Sequence, residues 1–237
     1  MEKGRVYLVP SFLSETNSKN NFPLVNNELI YSLNIFIVEN LRTARRFLRK
    51  IGYKKDFGEV KFYELNKHTD STKINNFLDP ALKGENIGLI SEAGTPCVAD
   101  PGSEIVLLAH RLSIDIIPLV GPSSIILALM ASGFNGQSFV FHGYLPIDKK
   151  QRSSRIKELE NNAYKLQQTQ IFIEAPYRNN QLFQSIIENC SGETLVCIAV
   201  DITNTETEFI KTKNVKDWKK NKPPDLHKKP VVFLLYR

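Results

Sequence analysis

The feature that most constrains this chain is a regular alternation of short apolar runs with amphipathic helical patterns. Val6–Val9, Ile35–Val38 and Ile87–Ile90 are fully or almost fully apolar, as is typical of strands that are buried on both faces. Residues 41–51 place apolar side chains at helical spacing between two such runs. Strands that alternate with helices predict an α/β architecture.

The same alternation returns in the second half of the chain. There we predict strands at 139–141, 171–174, 195–200 and 230–236, and helices around 151–163 and 179–189. A Gly-Pro turn at Gly121 and Pro122 follows one complete α/β unit and precedes another. The sequence therefore predicts two domains, residues 1–119 and 120–237, each with a mixed sheet flanked by helices.

Several classes of protein are disfavoured by composition. No apolar run approaches the ~18 residues that cross a bilayer, and no signal-peptide core follows the amino terminus, so we expect a cytoplasmic protein. The chain has three cysteines without CxxC spacing and four scattered histidines. Neither a disulfide framework nor a metal site is expected from such a pattern.

The strongest chemical signal is the segment Ser91–Gly102, which follows the apolar run Ile87–Ile90. Its glycines and prolines impose sharp, ordered turns, and the small residues Ala93, Gly94 and Thr95 would let a ligand lie against the main chain. Ligands of open α/β sheets bind beyond the carboxyl ends of the strands. The alternative is a strand-to-helix connection that is merely rich in glycine and proline. In both cases we expect Ser103 to cap the next helix, Glu104–Arg111.

Two further motifs have a similar form. In Val120–Ser124, glycine and proline set a turn and two serines cap a helix whose positive end would face the same crevice. In Glu174–Arg178, a strand runs into a proline turn that carries a Tyr-Arg pair. For the first of these the alternative is an ordinary helix cap.

The order and spacing of these motifs resemble the tetrapyrrole (corrin/porphyrin) methylase superfamily, and within it the branch that methylates a ribose 2′-hydroxyl of small-subunit ribosomal RNA. That branch has a Ser-Asp-Ala-Gly-Thr-Pro…Asp-Pro-Gly loop, which Ser91–Pro96 and Asp100–Gly102 match with Glu92 in place of the first Asp. Its Pro-Gly-Pro-Ser turn is similar to Val120–Ser123, and its Glu-Ser-Pro-His-Arg turn to Glu174–Arg178.

The resemblance implies a two-domain, homodimeric α/β methyltransferase with S-adenosylmethionine in a cleft between the domains. Its cofactor contacts are expected to be largely main-chain. In this chain we expect them at Ala93, Gly94, Thr95, Val98, Ser123, Ser124, Ala175, Pro176 and Ala199.

The catalytic candidates follow from the chemistry of a ribose acceptor. A ribose hydroxyl is a poor nucleophile at neutral pH and benefits from a general base or a cationic neighbour. We expect Glu39 to act as the base, Arg42 to hold phosphate or polarise the hydroxyl, and Tyr177 with Arg178 to lie at the cleft mouth. For Glu39 the alternative is a salt bridge to an arginine of the following helix.

Departures from the family pattern lie in the substrate half. Where the family has Thr-Pro-Ile-Gly-Asn, residues Val9–Leu13 keep only the proline, and Val38–Arg42 keep the glutamate and arginine of Ala-Glu-Asp-Thr-Arg but not its aspartate. Val200–Asn204 lack both basic residues of Arg-Glu-Leu-Thr-Lys. The motifs of the cofactor half are better kept, so these departures bear on the substrate more than on the cofactor.

Positive charge is clustered rather than evenly spread. The net charge is +6, seven Arg or Lys lie between Arg42 and Lys55, eight lysines lie within residues 211–229, and a third group follows Pro146. Such clusters suit RNA phosphates, although a solvated helix face has the same composition. RNA is the expected partner. The alternatives are a small-molecule methylase of tetrapyrrole type and a cofactor-binding protein without turnover.

Overall fold

A computed structural model describes residues 2–14, 22–66, 69–221 and 224–237. The chain forms two compact units, Met1–Ser123 and Ser124–Arg237. His68 and Lys222, which belong to the histidines and to the lysine cluster noted above, lie outside the described residues. In the part of the chain that is described, no helix has the length and apolar character that a membrane span requires.

The first unit is built on a five-stranded sheet in the order β3-β2-β4-β1-β5, and its four strand pairings are parallel. Its strands are β1 (Val6–Val9), β2 (Ile35–Val38), β3 (Lys61–Glu64), β4 (Ile87–Ile90) and β5 (Ile116–Pro118). Its helices are α1 (Val25–Ser32), α2 (Leu41–Ile51), α3 (Ser71–Ile74), α4 (Asp79–Leu82) and α5 (Gly102–Arg111), with a 3₁₀ turn at Asn75–Leu78.

Both faces of this sheet are covered, which explains its apolar strands. Every residue of β2 and β4 is buried. Because successive side chains of a strand point to opposite faces, Ile37 packs in a cluster with Ile105 of α5, whereas Phe36 packs in a second cluster with Leu48 of α2. The parallel strands therefore have their carboxyl ends at one edge, where the loops of the candidate site begin.

The second unit has a mixed sheet in the order β6-β7-β10-β8-β9. Its strands are β6 (Phe139–Tyr144), β7 (Thr169–Ile173), β8 (Leu195–Val200), β9 (Phe209–Asn214) and β10 (Val231–Tyr236). Its helices are α6 (Ser124–Ser132), α7 (Lys149–Leu166), α8 (Asn179–Asn189) and α9 (Val215–Lys220), with a 3₁₀ turn at Pro176–Arg178. β6 and β7 are parallel, and the other pairings are antiparallel.

The α/β class with helix-flanked sheets is confirmed. The second sheet is mixed, whereas the pairings of the first are all parallel. The predicted domain boundary at residues 119 and 120 lies a few residues before the division between the two units.

Local differences from the sequence expectation have simple physical causes. The sequence of residues 71–82 predicts one helix. The structure divides it into α3, a 3₁₀ turn and α4, because Pro80 lies in the first turn of a new helix and cannot continue the preceding one. The helix expected at Glu104 begins at Gly102, so Ser103 lies inside it and is not its cap. β9 was not anticipated, since its lysines and threonine give it little apolar character.

Candidate functional site

The loop that follows β4 is held by the carbonyl of Gly94. Ser91 Oγ donates to this oxygen at 2.5 Å, and the main-chain N–H of Ser11 donates to it at 2.9 Å. Ser11 belongs to the loop after β1, so one carbonyl joins the loops of two neighbouring strands. The side chain of Ser91 is buried at the start of this connection.

Two glycines let the three loops of this edge pack against one another. Gly94 has a φ of +73°, and a Cβ there would lie 2.9 Å from Leu13 Cδ2 and 3.0 Å from the carbonyl oxygen of Pro122. A Cβ at Gly121 would lie 2.2 Å from Pro10 Cγ. Glycine is therefore required at both positions for the approach of one loop to another, and a ligand contact at Gly94 would be made through its main chain.

Asp100 organises the second half of the same loop. Both of its carboxylate oxygens lie 2.9 Å from the main-chain nitrogen of Cys97, and Oδ1 accepts from Gly102 N–H at 2.8 Å. Asp100 thus accepts a hydrogen bond from the first N–H of α5, the capping role that was expected of Ser103. Burial raises the pKa of Asp100, and the hydrogen bonds from Gly102 and Cys97 oppose that rise.

The thiol of Cys97, in the same loop, is not activated as a nucleophile. Burial, reinforced by the charge of Asp100, raises the pKa of Cys97 to about 12. Because the thiolate is the nucleophilic form of cysteine, Cys97 is protonated and unreactive at neutral pH.

The predicted catalytic residues of the first unit lie at the same edge of the sheet. Glu39 follows β2 and lines a cavity of about 10 Å³ together with Ser91 and Asp100, which is room for about one water. Arg42 is exposed on the first turn of α2. That turn is tied to the loop after β4, because Thr43 Oγ1 lies 2.5 Å from Glu92 Oε1.

The predicted cofactor residues of the first unit are accessible at this edge. Ala93 and Val98 are exposed, Thr95 and Ser123 are half-buried, and Gly94 is buried between the loops. Ser123 directly precedes α6, whose first residue is Ser124. The structure therefore brings Gly94, at the centre of Ala93–Thr95, close to the carbonyl of Pro122.

The donors and acceptors of this edge suit S-adenosylmethionine. Ser11 Oγ is buried and, among the described residues, has no hydrogen-bond partner. A buried hydroxyl without a partner is costly unless a bound molecule satisfies it. The ribose hydroxyls and amino-acid group of S-adenosylmethionine are groups of that kind, and the residues present fit them.

In the second unit, Glu174 is the centre of the Glu174–Arg178 turn. Its side chain is 1% exposed and pairs with Arg178. Its Oε1 accepts from Ala175 N–H at 2.7 Å, from Arg178 Nε at 3.0 Å and from Arg178 Nη2 at 2.7 Å. The hydrogen bond to Glu174 also raises the pKa of Arg178. Oε2 is buried and, within the described part of the chain, unpartnered.

Tyr177 and Arg178 are brought together as a pair. Arg178 Nη1 donates to the Tyr177 hydroxyl at 3.0 Å, and its guanidinium carbon lies 5.0 Å from the ring centroid of Tyr177. Tyr177 is 62% exposed. Glu174, which fixes this pair, was not among the predicted site residues. Its signal was a carboxylate directly after the apolar run of β7.

The remaining predicted residues of the second unit differ in accessibility. Ala175 is half-buried and Pro176 is exposed. Ala199 is only 1% exposed, because it lies inside β8 between Ile210 and Val232. A residue enclosed in this way offers a ligand little surface, so Ala199 is the weakest member of the predicted set.

His142 forms a network that sequence reasoning did not identify. Its Nε2 lies 2.8 Å from Gln170 Oε1, and its Nδ1 lies 3.1 Å from Arg155 Nη2. Arginine only donates, so Nδ1 is the acceptor and Nε2 carries the proton. Burial, with a smaller contribution from Arg155, lowers the pKa of His142. Among the described residues, no group of His, Cys, Asp and Glu could hold a metal ion.

Comparison with protein families identifies the architecture that these loops belong to. The family model of the tetrapyrrole (corrin/porphyrin) methylases matches residues 28–217. Ribosomal RNA small subunit methyltransferase I of Vibrio cholerae is 30% identical over 84% of this chain and 65% of its own length. The proteins of the same name from Buchnera aphidicola and Bacillus subtilis are each 30% identical, over 98% and 89% of this chain and 78% and 68% of their own lengths.

Solved structures show the same fold. The methyltransferase CobJ superposes with a TM-score of 0.66 at 13% identity, covering 99% of this chain and 94% of CobJ. The cobalt precorrin-4 methyltransferase CbiF superposes with a TM-score of 0.63 at 14% identity, covering 98% and 94% of the two chains. With the family model matching most of the chain, this protein belongs to the tetrapyrrole (corrin/porphyrin) methylase family.

Proposed function

We propose that this protein is an S-adenosylmethionine-dependent methyltransferase that methylates a ribose 2′-hydroxyl of small-subunit ribosomal RNA in the cytoplasm. The observation that carries the proposal is the ordered Ser91–Gly102 loop, which would contact a ligand mainly through its main chain. It occurs in a chain that is 30% identical to proteins named ribosomal RNA small subunit methyltransferase I. The chain spans 65 to 78% of the length of the three relatives named above. Its acceptor and its assembly as a homodimer are therefore part of the proposal.

The cofactor contacts that we propose are mainly to the main chain. In the first unit they are Ala93, Gly94, Thr95, Val98 and Ser123. In the second unit they are Ser124, Ala175, Pro176 and Ala199. When bound, S-adenosylmethionine supplies an electrophilic methyl group, so the chain's own residues have to orient the acceptor and manage its proton.

The catalytic roles that we propose follow from charge and placement. Glu39, half-buried at the end of β2, takes the proton of the acceptor hydroxyl as a general base. Arg42 holds a phosphate of the acceptor. Tyr177 and Arg178 contact the acceptor in the second unit, and Glu174 acts as a positioning residue because it fixes the guanidinium of Arg178.

A small-molecule acceptor is the second candidate, since CobJ and CbiF share the fold. A tetrapyrrole-type small molecule would be methylated at a rate that depends much less on salt, whereas RNA binding weakens steeply as salt rises. A third candidate is binding without turnover, which the altered Val9–Leu13 segment suggests. Methyl transfer to any acceptor excludes it.

The test is mass spectrometry of small-subunit ribosomal RNA from cells with and without the gene. We expect one methylated ribose to disappear on deletion and to return when the wild-type chain is supplied. A chain with Glu39→Gln, supplied at the same level, should restore it poorly. An identical modification profile in the two strains would contradict the RNA acceptor.

A further inference from the structure

The outer surface of α2 is unusually rich in positive charge. Its cationic face consists of Arg42, Arg45, Arg46, Arg49 and Lys50. The four arginines are exposed and Lys50 is half-buried, while the opposite face of the helix is buried in the core. No aspartate or glutamate occurs between residues 40 and 55.

Two of these arginines are ordered by uncharged partners. The guanidinium carbon of Arg49 lies 3.9 Å from the ring centroid of Phe57, and Arg49 Nη1 donates to the carbonyl of Tyr53 at 2.6 Å. The guanidinium of Arg45 lies 5.5 Å from Phe57 and 5.3 Å from Phe62. Aromatic rings and carbonyls restrict the side chains without cancelling their charge, so a bound anion would meet pre-ordered guanidinium groups.

The cationic face begins at the rim of the proposed methyl-transfer site. α2 starts two residues after Glu39, and its first turn is joined to the loop after β4 by the contact between Thr43 and Glu92. The helix has 11 residues, which at 1.5 Å per residue makes it about 16 Å long. A row of guanidinium groups therefore extends from the site over a distance that covers several nucleotides.

We propose that the cationic face of α2 binds the phosphate backbone of the RNA acceptor and guides it into the site. This inference rests on the proposed function for its ligand. Guanidinium groups pair with phosphate through two parallel hydrogen bonds, and such contacts are independent of base sequence. The face thus supplies affinity that does not depend on the base sequence.

The test compares two double variants of equal charge. Arg45→Gln with Arg49→Gln removes two cations of the face. Lys83→Gln with Arg111→Gln removes two exposed cations of the same unit that lie just before β4 and at the end of α5, at the amino edge of the sheet. Binding of labelled small-subunit ribosomal RNA is measured by filter retention at several KCl concentrations, together with the circular dichroism spectrum of each protein.

For Arg45→Gln with Arg49→Gln, we expect the slope of log K against log[KCl] to become less steep by about 1.4, at roughly 0.7 for each lost phosphate contact of a single strand. The control should keep the wild-type slope. A third variant, Arg45→Lys with Arg49→Lys, keeps the charge and should keep most of the slope. If the variant without the cations retains the wild-type slope, the inference is wrong, as it is if the control loses as much.

Methyl transfer in the same samples separates this inference from the proposed function. If the wild type methylates the RNA but Arg45→Gln with Arg49→Gln binds it as Lys83→Gln with Arg111→Gln does, the proposed function is supported and the role of the cationic face is not. If the wild type binds RNA through α2 but transfers no methyl group, the role of the cationic face is supported and the proposed methyltransferase function is contradicted. Retention on phosphatidylserine vesicles, without any effect of the α2 change on RNA binding, would assign the face to a membrane and overturn the inference.

Discussion

At the scale of single residues, the candidate site depends on conformations that few side chains tolerate. Gly94 has a positive φ, and its α-carbon faces Leu13 and the carbonyl of Pro122 at distances that leave no room for a methyl group. Cys97 and Ala99 of the same loop also have positive φ, at 68° and 62°. Non-glycine residues in this region store strain of about 1–3 kcal/mol each and are frequent at functional sites.

Gly94→Ala should destabilise the first unit and weaken cofactor binding. The left-handed conformation alone costs an alanine about 1–2 kcal/mol, and the contacts with Leu13 and Pro122 add to it. Gly58→Ala is the matched control, because its Cβ would meet only Asp56 at an ordinary 3.6 Å or more. Urea unfolding should show a clearly larger loss for Gly94→Ala. Equal losses would mean that the loops do not pack as described.

His142 should make the stability of the second unit depend on pH. Its pKa is lowered in the folded state, so the unfolded chain takes up a proton more readily. Stability is therefore full above the usual histidine pKa of about 6.5 and declines as pH falls through that value towards the folded-state pKa. Chemical unfolding of the wild type and of His142→Gln at several pH values between about 7 and 5 measures this contribution. We expect a flatter profile for the variant, and parallel profiles would remove His142 as the cause.

At the scale of elements, the connection between β4 and α5 is held by one carboxylate. Asp100→Ala would leave the N–H groups of Cys97 and Gly102 without their acceptor, at a cost of about 1–3 kcal/mol for an unsatisfied buried donor. Asp100→Asn keeps one oxygen in place and should cost less. Thermal unfolding and titration with S-adenosylmethionine should both rank the proteins as wild type, Asn, Ala. An Ala variant as stable as the wild type would show that the loop is held by other contacts.

Elements could be predicted where local signals coincide. α2 was predicted with both ends correct from the apolar spacing of residues 41–51. In the structure its ends are fixed by Asn40, which accepts from Arg42 and Thr43 N–H, and by Gly52, which takes a φ of 97°. β9 was missed because its strand character comes from pairing with β8, which the sequence of Phe209–Asn214 does not reveal. The capping role of Asp100 was missed, because Ser103 is as good a cap by residue type and only the fold shows which side chain reaches the N–H groups. The pairing of Glu174 with Arg178 likewise depends on how the turn folds.

At the scale of the whole molecule, the two units carry different parts of the proposed chemistry. The first unit contains the glycine-shaped loops, Glu39 and the cationic face of α2, and the second contains the Glu174–Arg178 turn. The α/β class was predictable from the alternation of apolar runs with helical patterns. The family was predictable from the order of three short, specific motifs, the Ser91–Gly102 loop, the Val120–Ser124 turn and the Glu174–Arg178 turn. The acceptor is less predictable from the sequence, because the segments Val9–Leu13 and Val200–Asn204 depart from the family motifs and match no other motif that would indicate a substrate.

The most direct measurement is isothermal titration of the purified chain with S-adenosylmethionine, with ATP as the control ligand. We expect one molecule of S-adenosylmethionine to bind per chain with a dissociation constant on the order of micromolar, or about −8 kcal/mol. ATP, which lacks the sulfonium amino acid, should give no comparable heat. The absence of binding heat with S-adenosylmethionine at millimolar concentration would contradict the proposal that the loops after β1, β4 and β5 form a cofactor site.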